Sequence, residues 1–216
     1  MRLLISNSAS RKHIMTDRLH RIVSQIKPRL IIILLVLMGG AFILYLNQGG
    51  ESKSPNQQTE LVAPQGLKNF VIHGQKRALP DLKLQFEDGK TGGLARFEGE
   101  VLVLNLWATW CAPCRKEMPQ LDALQAHFDG RAVRVIALSL DRGTGDKPKE
   151  FLQELGVKHL TWVHDGSYKS ARALGLIGLP TTLIIDTEGY EIGRLAGEAD
   201  WNSAAVHQLI EQVLAN

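Results

Sequence analysis

Val101-Leu-Val-Leu-Asn-Leu-Trp107 runs through Ala108-Thr109 into Trp110-Cys111-Ala112-Pro113-Cys114, and from there into the stretch Arg115 to Phe128. The first seven residues are nearly all apolar, as in a strand covered on both faces, which predicts a central position in a sheet. Met118, Leu121, Leu124, Gln125 and Phe128 form a stripe at helical spacing, and Pro119 is expected to kink that helix. A Cys-x-x-Cys pair at such a junction has its sulfurs within disulfide reach. Cys111 then stands at the helix N-terminus, where free N–H groups and the positive end of the dipole favour a thiolate.

These are the only two cysteines among 216 residues. Two cysteines cannot build a disulfide framework, and closing so short a loop constrains little of the unfolded chain, so a redox role is the better reading. A closed zinc site would need a second ligand pair, which a lone Cys-x-x-Cys does not supply. A Cu(I) chaperone holding the metal between Cys111 and Cys114 stays open as an alternative. The seven histidines do not cluster, and His127 and His164 are most simply solvated or hydrogen-bonded.

Working back from the junction, the chain divides at residues 1–29, 30–46, 47–66 and 67–216. The formal charge of +3 comes from the first segment, where Arg2, Arg11, Lys12, Arg18, Arg21, Lys27 and Arg29 face Asp17 alone, and Met15 offers an alternative start. The remainder is slightly acidic, which argues against a nucleic-acid partner. Leu30 to Leu46 carries no charge and as a helix would span about 25 Å, near the lower limit for the hydrocarbon core of a bilayer. Tyr45 stands where an interfacial aromatic belongs. A cleaved signal peptide is the competing reading, but Tyr45-Leu-Asn-Gln-Gly-Gly50 is a poor cleavage site, so an uncleaved anchor in the lipid bilayer is preferred. Positive charge before the span keeps the N-terminus cytoplasmic and sends the rest across, into the periplasm if the source is bacterial. Residues 47–66, rich in Gly, Ser, Pro and Gln, are a tether by composition.

Within 67–216, Leu82, Leu84 and Phe86 alternate, Glu87-Asp-Gly-Lys90 makes a turn, and Leu94-Ala-Arg-Phe97 follows, together a small hairpin or strand plus helical turn. Further expected elements are strands at Val133–Leu140, Thr161–His164, Thr182–Ile185 and Tyr190–Leu195. Helices are expected at Lys149–Leu155, Tyr168–Leu174 and Trp201–Leu214. This β-α-β-α then β-β-α order predicts an α/β domain with a mixed central sheet flanked by helices, its chemistry at the edge where strands end and helices begin.

Taken together, Asn105-Leu-Trp-Ala-Thr-Trp-Cys-Ala-Pro-Cys-Arg-Lys-Glu-Met-Pro-Gln-Leu121, followed about sixty-five residues later by Gly178-Leu-Pro-Thr-Thr182, resembles the thioredoxin superfamily, and more closely its membrane-anchored TlpA/ResA-like branch. Gly197-Glu-Ala-Asp-Trp201 looks like the TlpA-type entry to the last helix, and the likeness covers about Leu79 to Leu214. It implies a thioredoxin-like fold and a thiol-disulfide oxidoreductase with no cofactor and no metal. Cys111 would attack a substrate disulfide, and Cys114, one helical turn in, would resolve the mixed disulfide. Pro180 matches the family's cis-proline, where the Leu179 backbone would hydrogen-bond an incoming peptide beside Thr181, with Trp110 exposed to the partner and Trp107 packed. Glu117 matches a carboxylate that ResA-like members keep near the cysteines, a candidate proton partner whose pKa would rise on burial; the alternative is an ordinary surface Glu in a first helical turn.

Asn105 stands where cytoplasmic thioredoxins have a buried aspartate, which turns attention to Glu117. The Ala-Pro dipeptide between the cysteines suggests the reducing half of a range from about −270 mV for thioredoxin to about −120 mV for DsbA, with a disulfide oxidase as the alternative. The resemblance further implies a transmembrane electron donor of the DsbD/CcdA type, and clients that are apocytochrome c or copper-handling proteins of oxidase assembly. Thr181 and Thr182, where cytochrome maturation factors usually carry an acid, favour the second. Sco-like copper chaperones separate their cysteines by three residues, against two here.

Overall fold

The computed structural model describes residues 67–216 together with Ile32, Ile33, Leu35–Gly40 and Phe42. Those few N-terminal residues are helical and exposed; about half of the span expected at 30–46, and all of the proposed tether at 47–66, lie outside the described residues. Among the described residues no helix is long and apolar enough to cross a membrane. The chain divides into two compact units, Met1–Asn56 and Gln57–Asn216, and the second holds both cysteines.

That unit is built on one eight-stranded sheet of order β1-β8-β7-β4-β5-β6-β2-β3. Its strands are β1 (Phe70–Ala78), β2 (Leu84–Phe86), β3 (Thr91–Gly92), β4 (Val101–Trp107), β5 (Val133–Ser139), β6 (Thr161–His164), β7 (Thr181–Ile185) and β8 (Tyr190–Ala196). A 3-10 turn, Leu94–Phe97, leads into β4. The helices are α1 (Ala112–His127), α2 (Asp146–Glu154), α3 (Lys169–Ala173) and α4 (Ala204–Leu214). β4, β5 and β6 run parallel, while β7 is antiparallel to both β4 and β8. The expected mixed sheet and the central β4 are therefore found, and the fold is thioredoxin-like.

The unbroken apolar character of β4 follows from its two packed faces. Val101, Val103 and Trp107 join one core with Met118, Leu121 and Leu124 of α1 and Val206, Leu209 and Ile210 of α4. Leu102, Leu104 and Leu106 face the other core, with Ile136, Leu138, Leu183 and Leu174. Burying one such Leu side chain contributes about 2 kcal/mol, so an odd-to-even register slip would exchange two complete sets of contacts. Every residue of the expected α1 stripe is buried. Pro119 lies inside α1 without ending it: the helix is continuous through that position, which forgoes one backbone donor.

Three expectations are corrected. The strand β1 has no counterpart among the expected elements; it pairs antiparallel with β8 at the sheet margin, and its burial is so slight beyond His73 that no apolar alternation marks it. α2 begins at Asp146 rather than Lys149, because Pro148 fits a first turn, where its missing N–H has no intrahelical partner to lose. The last helix begins at Ala204, not Trp201; the Trp201 backbone and indole N–H groups are both bonded to side chains of α1 instead.

Candidate active site

Register places the site. Leu106 pairs with Thr181 across β4 and β7, so the N-terminal end of β7, with Pro180 just before it, lies beside the end of β4 from which the cysteine turn departs. Cys111 N–H closes that turn onto Ala108 O at 3.0 Å. Cys111 is the N-cap of α1, in extended conformation, and Pro113 occupies the first turn, where proline is pre-organised for a helix. The Cys114 N–H donates to Cys111 Sγ at 3.3 Å, one of the free helix-end donors expected to favour a thiolate there.

The two cysteines are joined in a disulfide. They are not equivalent: Cys114 is fully buried, while Cys111 keeps 6% of its surface and lines a cleft of about 620 Å³. Trp110, Tyr168, Arg172, Ile177 and Leu179 share that lining. Trp110 is 63% exposed and Ile177 is 90% exposed, an unusual state for either side chain and apolar surface that a partner could cover. The Leu179–Pro180 bond is cis. Pro180 accepts from Gly197 N–H through its carbonyl, and the buried Thr181 donates its hydroxyl to Gly178 O at 2.7 Å, so Thr181 braces the loop from within. Neither residue lines the cleft.

Glu117 is neither a surface residue nor in the first helical turn, since α1 begins at Ala112 and Glu117 stands six residues past the N-cap. It is buried, and its Oε1 accepts from Ala199 N–H at 2.7 Å and from the Trp201 indole at 2.8 Å. Burial pushes its pKa up to about 7, against the pull of those two donors and of the Asn105 amide, and with the Glu198 charge adding to the rise. Its Oε2 is buried with no hydrogen-bond partner among the described residues, as is Asn105 Oδ1. Asn105, fully buried on β4, donates through Nδ2 to Thr182 Oγ1 at 2.9 Å. Glu117 also lines a second cleft of about 400 Å³ with Lys68, Lys116, Gln120 and Glu198, which shares no lining residue with the first. A carboxyl whose pKa lies at about 7 can take up and release a proton near neutral pH.

Of the sequence-derived candidates, Trp110, Cys111 and Leu179 meet in one cleft, Cys114 stands behind Cys111, and Glu117, itself on α1, is bonded to the segment that enters the last helix. Tyr168, Arg172 and Ile177 were missed. Ile177 carried a signal, an apolar β-branched residue between Gly175 and Gly178, whereas α3 gave too short a pattern to show which side it presents. His164 is buried and bonded, and His127 stacks on His207 at 3.9 Å between ring centroids. Among the described residues no three metal-ligating side chains come together.

The family model described as Redoxin matches residues 73–210. The chain belongs to the Redoxin family. It is 33% identical over 167 residues to the thiol-disulfide oxidoreductase ResA of Bacillus cereus, an alignment covering 77% of this chain and 86% of that protein. It is 29% identical over 183 residues to the thiol:disulfide interchange protein DsbE of Vibrio cholerae, covering 83% of this chain and 91% of the relative. A crystal structure from Chlorobium tepidum, provisionally named thiol:disulfide interchange protein DsbE, superposes with a TM-score of 0.59 at 31% identity, over 65% of this chain and 97% of the other. With its paired cysteines at the helix end, this Redoxin-family chain is a thiol-disulfide oxidoreductase of TlpA/ResA-like type.

Proposed function

We propose that the protein works as a reductant of disulfides in client proteins, tethered by residues 30–46 to the bacterial inner membrane, with 67–216 in the periplasm. The observation that carries the catalytic part is the asymmetry of the pair: Cys111 opens to the cleft and Cys114 is sealed behind it. The basic flank before the apolar run supports the tether and its orientation.

In the reduced enzyme the Cys111 thiolate attacks one sulfur of the client disulfide, and the other client sulfur leaves as a thiolate. Cys114, deprotonated, then attacks Cys111 Sγ and releases the second client thiol. Two electrons pass to the client and the Cys111–Cys114 disulfide remains. Glu117 is the group we assign to accept the proton that Cys114 must lose, and Trp110, Leu179, Pro180 and Thr181 form and brace the wall that receives the client. Recharging needs a dithiol donor from across the membrane, for which a DsbD/CcdA-type carrier fits. Clients are apocytochrome c or copper-handling proteins of oxidase assembly.

The test is insulin reduction by metal-free protein, with Cys111→Ser and Cys114→Ser beside it. Turnover is expected from the parent protein, no mixed disulfide from Cys111→Ser, and a covalent client adduct from Cys114→Ser, whose partners mass spectrometry would identify in cells. Equal trapping by both variants would contradict the order of attack. No turnover, together with tight stoichiometric Cu(I) binding, would replace the enzyme by a metallochaperone, and a reduction potential at the oxidising end would reverse the electron flow.

A further inference from the structure

Beneath the cysteine turn lies a buried carboxylate that the exchange chemistry does not use. Asp141 follows β5 and is 4% exposed. It accepts from Thr109 twice, from the backbone N–H at 2.9 Å and from the hydroxyl at 2.5 Å, and from the Ser139 hydroxyl at 3.1 Å. Its own N–H donates to Ser139 Oγ at 3.2 Å. Thr109 stands two residues before Cys111, directly after Ala108, whose carbonyl takes the Cys111 N–H.

The carboxylate is backed by structure that cannot retreat. Trp107 pairs with Ser139, and Leu140 N–H donates to Trp107 O, so the ends of β4 and β5 are locked side by side. His164 on β6 contacts Gly143 O through Nε2 at 3.0 Å and lies with Nδ1 3.4 Å from Ser139 Oγ. The loop after Asp141 is pressed against β6 so closely that a Cβ on Gly145 would lie 2.4 Å from the Trp162 ring. Among the described residues Asp141 has no cationic partner; its charge is met by neutral donors, two of them on Thr109. Burying a carboxylate without a counter-charge is costly, and a neutral side chain would join β5 to the turn more cheaply.

We infer that Asp141 is a positioning residue for Cys111: through its two bonds to Thr109 it fixes the turn that presents the sulfur to the cleft, and it sets a fixed negative charge beneath it. This rests on Cys111 being the attacking thiol. The two effects are separable. Orientation speeds attack by an already formed thiolate, whereas the charge disfavours forming that thiolate. The other groups around the turn are His164 behind Ser139, and Tyr168 and Arg172 across the cleft.

The experiment uses the full chain, reduced, with iodoacetamide as the probe, and reads Cys111 alkylation by peptide mapping as a function of pH. The plateau rate reports the thiolate's presentation, and the midpoint reports its charge environment. Asp141→Asn, which removes the charge but can keep both contacts, its amide oxygen accepting the Thr109 N–H and its amide N–H donating to the Thr109 hydroxyl oxygen, is expected to lower the midpoint and to leave the plateau near that of the parent. Thr109→Val, which keeps the charge and the backbone bond but loses the hydroxyl bond, is expected to lower the plateau about fivefold, the worth of one hydrogen bond, and to leave the midpoint in place. Thr109→Ser, which keeps both bonds, should match the parent. The inference is overturned if Asp141→Asn moves only thermal stability, or if Thr109→Ser is as slow as Thr109→Val. Alkylation of Cys114 in place of Cys111 in the parent would overturn the order of attack itself, and the role of Asp141 with it.

Discussion

At the scale of single residues, Glu117 concentrates the chemistry. A buried carboxylic acid whose pKa rises to about 7 binds a proton in the folded protein that it would release in the unfolded chain above its ordinary value of 4.5. The sign follows from linkage: between those two pH values the native state holds more protons than the unfolded state, so stability falls as pH rises through this window and levels off above it. The span corresponds to roughly 3 kcal/mol at most. Urea unfolding of the oxidised protein should show that decline, and Glu117→Gln, which stays neutral, should flatten it. In the reduced protein the same variant should shift the titration of the cysteines; unchanged thiol titration would return Glu117 to a purely structural place. The identity of this residue was legible in Cys-Ala-Pro-Cys-Arg-Lys-Glu, but its burial was not. Ala199 and Trp201, which cover it, lie more than eighty residues away and reach it only through the tertiary fold. Asp141 was hidden for the same reason, since its partner Thr109 belongs to a different strand end.

Among the elements, those with two covered faces were readable and those at margins were not. β4 announces itself because its side chains have to be apolar to fill the two cores, and α1 because one unbroken stripe of it faces the first of them. β1 is a margin strand exposed from Gly74 to Ala78, so Gln75, Lys76 and Arg77 look like a loop. Phe70 and Ile72 anchor the start of β1 on the core, and a polar cluster adds to that hold: His73 Nε2 meets Glu191 Oε1 at 2.7 Å, and Glu191 also takes a two-pronged bond from Arg194. Arg194 in turn donates to Leu174 O at 3.0 Å, tying β8 to the end of α3 beside the cleft. Burial would raise the Glu191 pKa, but its bonds to Arg194 and His73 hold it below the usual range. Its contribution to stability is therefore present above the unfolded pKa and is lost as pH falls through the folded one. Glu191→Gln should cost about 2 kcal/mol at neutral pH, the worth of a buried charge-assisted hydrogen bond, and should shrink the acid-induced loss. Chemical denaturation at pH 7 and pH 4 would check both; equal stability of parent and variant at pH 7 would show the triad to be idle.

For the molecule as a whole, the decisive matter is where the catalytic unit is held. The 67–216 region carries the sheet, both clefts and the paired cysteines, and the Redoxin match lies within it. The basic residues that make the chain cationic are instead gathered before Leu30, ahead of a charge-free run. A soluble reductant gains nothing from that asymmetry, whereas a reductant recharged by a membrane carrier gains proximity to its donor and the correct side of the bilayer. The full chain is accordingly expected to remain in the membrane fraction after an alkaline wash. Protease added to spheroplasts should digest the catalytic unit while sparing an epitope placed on the first 29 residues. Release into the soluble periplasmic fraction, with a mature N-terminus after residue 46, would identify the apolar run as a cleaved leader. Protection of the catalytic unit in intact spheroplasts would instead place the cysteines on the cytoplasmic side, where glutathione and thioredoxin already keep thiols reduced and a dedicated electron carrier would have no purpose.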